Sequence, residues 1–128
     1  MLPAEVVREL RQSWLPNVSA AGLNRVIDLL EKGSPLLLSG RFTEALPRGC
    51  LATHIAWHHP AVCHRTIDAG ILWLTRVAGL NPATSEVIRE WDRRGPHDWG
   101  FRSDLLELLK DARATDGPAA PIRQAVAV

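Results

Sequence analysis

Leu23, Val26, Ile27 and Leu30 recur at the i, i+3, i+4, i+7 spacing of one helix face, and this periodicity restricts the fold more than any other feature of the chain. Ser19 stands where an N-cap hydroxyl belongs, and Gly33 where a left-handed residue ends a helix. The period-two alternation of a half-buried strand is nearly absent. Pro3 can occupy the first turn of an earlier helix that carries Val6, Val7, Leu10 and Trp14 on one side until Leu15-Pro16 stops it.

Later segments repeat the pattern. Asn81-Pro82 is expected to open a helix as cap and first residue, with Thr84, Val87, Ile88 and Trp91 inward. Ser103 is expected to cap a last helix whose Leu105, Leu108, Leu109 and Ala112 face the core. Gly95 to Gly100 reads as a compact loop containing Trp99. Ser34 to Leu38 fits either one helical turn or a buried extended segment, and Ser39 to Gly49, with two glycines and a proline, reads as a loop.

Between these lies CLATHIAWHHPAVCH, residues 50–64, which holds both cysteines and four of the five histidines. Pro60 cannot sit deep inside a helix without removing a backbone bond, but it can begin a new one. The stretch therefore divides into the end of a helix from about Arg48 to His58 and the start of another. The second is predicted to run from Val62 with Cys63, Ile67, Ile71, Leu74 and Ala78 on its core stripe, widened by Trp73 and Val77, and to end at Gly79. The resulting expectation is all-α: a single domain of about six helices over residues 1–114 around a central helical hairpin, about 48–78. A tail over 115–128, with two prolines and no period, is expected to be mobile.

Composition narrows the class. A chain of 128 residues can bury a core without staples, and two cysteines do not make a disulfide framework. A net charge of +1 gives no general electrostatic case for nucleic acid or membrane surfaces. The first residues lack the apolar run of a signal peptide, and no stretch approaches a membrane span, so a cytoplasmic location is expected. The segment 81–95 looks superficially like the reading helix of a helix-turn-helix. Glu86, Glu90 and Asp92 among its arginines would repel phosphate, which argues against DNA. No glycine-rich phosphate loop and no Gly-x-Ser-x-Gly occurs.

The crowded stretch admits three readings. Imidazole and thiolate are the ligands zinc prefers, and His54 and His58, one turn apart, can pair with Cys63 and with His64 or distant His97; Asp68 would orient the His64 ring. In a thiol enzyme, Cys50 near a helix N-terminus would be activated by His54, although no oxyanion-hole motif accompanies them. In a non-catalytic interaction or adaptor domain the histidines are structural, and the partner is another protein or a second copy of the chain. No Cys-x2-Cys or His-Glu-x-x-His spacing is present to favour metal outright. Five tryptophans accompany no tyrosine. Trp14, Trp73 and Trp91 fall on inner faces, whereas Trp57 and Trp99 are not placed by periodicity.

Overall fold

The computed structural model describes residues 2–43, 48–62, 67–95 and 97–115, and the chain over these is all-α. The first helix, α1 (Ala4–Glu9), runs on without a break into a π-helical turn (Leu10–Trp14) and a 3-10 turn (Leu15–Asn17). α2 spans Ala20–Lys32, α3 Leu51–Trp57 and α4 Ala69–Leu72, which continues as a second π-helical turn (Trp73–Val77). α5 (Glu86–Arg94) and α6 (Trp99–Thr115) complete the domain. α3 packs on α4 and α2, α2 on α6, and α1 on α5. Residues 34–43 and 48–50 form a strap without regular structure, closed by isolated bridges from Gly49 to Leu37 and Thr43.

Local chemistry explains the sharpest boundaries. The Ser19 hydroxyl accepts the Gly22 amide at 3.0 Å and itself donates to the His58 carbonyl, which joins the start of α2 to the end of α3. Gly33 ends α2 at φ 59°, a left-handed conformation that glycine adopts without a Cβ penalty. Val6, Leu10, Trp14, Leu23, Val26, Ile27 and Leu30 are all buried, as their spacing predicts.

The two π turns put Trp14 and Trp73 edge to face, with centroids 5.1 Å apart, at the centre of the core. Each buried indole keeps a partner. Trp73 donates to the Asn17 carbonyl, and Trp14 donates to the Glu9 carboxylate at 2.8 Å. That carboxylate also accepts the Ser85 hydroxyl and the Glu86 amide, so α1 completes the open N-terminus of α5 across the domain.

Three boundaries differ from the sequence expectation. The fourth helix is regular only from Ala69, and its inner face is Ala69, Gly70, Trp73 and Leu74; Ile67 and Ile71, expected on the core stripe, are 67% and 38% exposed. Small residues occupy this contact because α4 approaches α3 closely, and the π turn, with Ala78 donating back to Trp73, inserts an extra residue into the spacing. Asn81 makes only a local turn by accepting the Ala83 amide; Ser85, accepting Ile88 at 3.2 Å, caps α5 and leaves Thr84 exposed. Asp98 rather than Ser103 opens α6 by accepting the Phe101 amide at 2.9 Å, which brings Phe101 into the core and makes Trp99 helical. Thr115 closes that helix, and the remainder of the expected tail lies outside the described residues.

Candidate functional site

Cys50 is the N-cap residue of α3, and the strap wraps that end of the helix. The Phe42 carbonyl accepts both the Cys50 amide (2.9 Å) and the Thr53 hydroxyl (2.8 Å), and the Cys50 sulfur lies 3.7 Å from the same hydroxyl. One turn on, His54 is 1% exposed. Its Nε2–H donates to the Leu36 carbonyl at 2.8 Å, a partner that fixes the proton on this nitrogen, and its ring meets Trp57 edge to face. From the other side, Trp91 of α5 donates its indole N–H to the Leu38 carbonyl, and the Asp92 carboxylate accepts the Gly40 amide, each at 2.7 Å. Side chains of two helices thus satisfy strap backbone groups that its own internal bonds leave open.

This geometry bears directly on the chemistry expected of the stretch. Burial pushes the Cys50 thiol above its ordinary value, and the hydrogen bonds from Thr53 and Ala52 pull the other way with less effect. An activated thiolate needs the opposite shift, so the Cys50–His54 pair does not have the environment of a nucleophile and its base. His54 spends its Nε2 inside the domain and does not offer it to a metal. His58 is half-buried at the C-terminus of α3, and His59 turns its Nδ1 onto the Ala61 amide at 3.0 Å. His97 is exposed beyond α5. Cys63 and His64 lie outside the described residues. Among the described residues no three of His, Cys, Asp and Glu gather at one point. Asp68, expected to orient His64, is exposed and precedes α4.

The outer face of α5 is the solvated, ion-paired surface its charges predict. Arg93 pairs with Glu90 at 2.8 Å, Arg89 with Glu86 at 3.8 Å, and Arg94 with Asp98 at 2.9 Å. These acids neutralise the basic residues that a DNA reader would present to phosphate.

At the start of α6 the structure places a group that periodicity did not reveal. The Arg102 guanidinium lies between two indoles, 5.3 Å from the Trp91 centroid and 5.1 Å from that of Trp99, and Arg94 covers Phe101 at 4.9 Å. The available signal was the Trp99–Arg102 spacing of three, which stacks side chains only once both are known to be helical. Trp57 is buried, whereas Trp99 is 67% exposed.

An apolar cavity of about 20 Å³ lies between Leu10, Trp14, Leu23, Leu51, Ile55 and Leu105. It has no polar partner for a water and is far smaller than a cavity that accepts even benzene. No helix of the described residues is long and apolar enough to cross a membrane. No family model, curated protein or solved structure matches the chain.

Proposed function

We propose that this chain is a non-catalytic protein-interaction domain in which His54 and Cys50 are structural. The observation that carries this reading is the hydrogen bond from His54 Nε2–H to the Leu36 carbonyl, made by a ring almost wholly shielded from solvent. A histidine so placed holds the strap to α3, which accounts for it without a ligand or a substrate. The Cys50 thiol, shielded beside Thr53, is accounted for in the same way as a small apolar cap. What the described surface offers instead is an exposed aromatic, Trp99, of the type that anchors protein interfaces, with the Arg102 guanidinium over its ring.

The test is made on the full chain, purified without a tag that binds metal. Substoichiometric zinc after incubation with the ion, and a melting temperature unmoved by chelator, are expected. In a Cys63→Ser chain, Cys50 should alkylate only as fast as the domain opens, at every pH between 6 and 9. One equivalent of bound zinc would restore the metal-binding reading, with His54, His58, Cys63, His64 and His97 as the ligands to examine. Rapid alkylation near pH 6–7 would restore the thiol enzyme.

A further inference from the structure

The cations along the junction of α5 and α6 are not equally matched. Arg93 has Glu90, and Arg94 has both Asp98 and Glu90. Arg102, in the first turns of α6, has no carboxylate among the described residues. Its Nη1 donates to the Gly95 carbonyl at 2.9 Å, its guanidinium carbon lies over the Trp91 and Trp99 rings, and its buried Nε–H has no acceptor among the described residues. Asp98 does not make up the difference, because its oxygens are taken by Arg94 and by the Phe101 amide.

A partly buried guanidinium that has given up water for one carbonyl and two ring faces keeps most of its charge unanswered. Desolvation accordingly weakens its hold on the proton. Beside it, Trp99 is held on one side by Arg102 and open to solvent over two thirds of its surface. An exposed indole next to an arginine combines two residue types enriched at the energetic centres of protein interfaces. No acid of the described residues completes it.

We propose that Trp99 and Arg102 seat an acidic segment of a partner protein, the indole covering apolar surface while the guanidinium charge attracts a carboxylate. The inference rests on the interaction reading above and names its surface. It fails separately: bound zinc or a reactive thiol would overturn that reading, whereas a partner indifferent to acid would overturn only this surface.

The experiment pans a random-peptide library on the full chain and measures the selected peptides by fluorescence anisotropy. Selected sequences should be enriched in Asp and Glu, and their affinity should fall as salt rises. Trp99→Ala and Arg102→Gln should each weaken binding about tenfold or more, and Arg102→Lys, which keeps the charge, by less. Arg113→Gln, toward the opposite end of α6, should leave it unchanged. A thermal melt of each variant checks the fold, and Trp99→Ala, altering an exposed side chain, keeps the test valid if an Arg102 variant unfolds. The proposal is overturned if no peptide is selected, if the selected peptides show no excess of acid, or if they bind the Trp99→Ala chain as tightly as the native one.

Discussion

Gly70 of α4 lies against Thr53 of α3 so closely that a Cβ at position 70 would fall 2.9 Å from the Thr53 amide nitrogen. The Thr53 hydroxyl lies nearer still, and behind it the Thr53 amide nitrogen and Cα are backbone atoms that cannot yield cheaply. Gly70→Ala is therefore expected to cost about 1–3 kcal/mol by overpacking, even though alanine favours helices. A denaturant melt decides it: an unchanged or raised midpoint would mean that the two helices do not approach this closely.

Glu9 and Ser85 act on the same helix end and should not behave independently. Ser85→Ala removes the cap and is expected to cost about 1 kcal/mol. Glu9→Ala also strands the Trp14 indole and the Glu86 amide, and about 2–3 kcal/mol is expected. The double variant should lose less than the sum, because each single change already loosens the α1–α5 clasp. Strict additivity in equilibrium unfolding would show that the two residues are uncoupled.

His54→Ala leaves the Leu36 carbonyl with the Gly49 amide alone and opens a hole beside Trp57. A loss of about 2–4 kcal/mol is expected from the missing bond and the cavity together. The loss should be the same with and without chelator. A loss that disappears on stripping metal from the native chain would identify His54 as a ligand.

Asp98 supplies the acid limb of the pH dependence. The Phe101 amide and then the Arg94 guanidinium hold its carboxyl below the ordinary value of 3.8. A carboxyl lowered in the folded state stabilises above its unfolded value, and the contribution is lost as pH falls through the folded value. Asp98→Asn keeps an N-cap acceptor but removes the charge. The native chain should therefore be more stable than this variant at pH 6, with the gap closing below pH 4. A gap that persists at pH 2 would remove electrostatics from the explanation.

Much of the core was legible because it depends on spacing and caps alone. Ser19, Gly33 and the leucine-rich face of α2 act through neighbours within one or two turns, and such signals survive in a linear reading. Ala69 and Gly70 did not announce themselves because their value lies in how little space they fill, which is a property of α3 as much as of α4. Asn81 and Ser103 were plausible caps displaced by Ser85 and Asp98, since the choice between adjacent capping residues is made by what the whole helix buries: Phe101 enters the core only if α6 starts early. The crowding of residues 50–64 drew attention to chemistry, yet the partners that decide the roles of Cys50 and His54 are carbonyls of Phe42 and Leu36. Any residue type supplies a carbonyl, and no sequence pattern marks the one that will be used.

The strap has a consequence for the order in which the molecule assembles. Its carbonyls and amides answer Thr53 and His54 on one helix and Trp91 and Asp92 on another, so neither helix alone can lock it. It becomes native only after α3 and α5 have docked, while α2, closed by its own Ser19 and Gly33, needs no such wait. In a refolding experiment with pulsed amide exchange, the Gly40 amide should gain protection after the amides of α2, making this irregular segment the reporter of a completed fold.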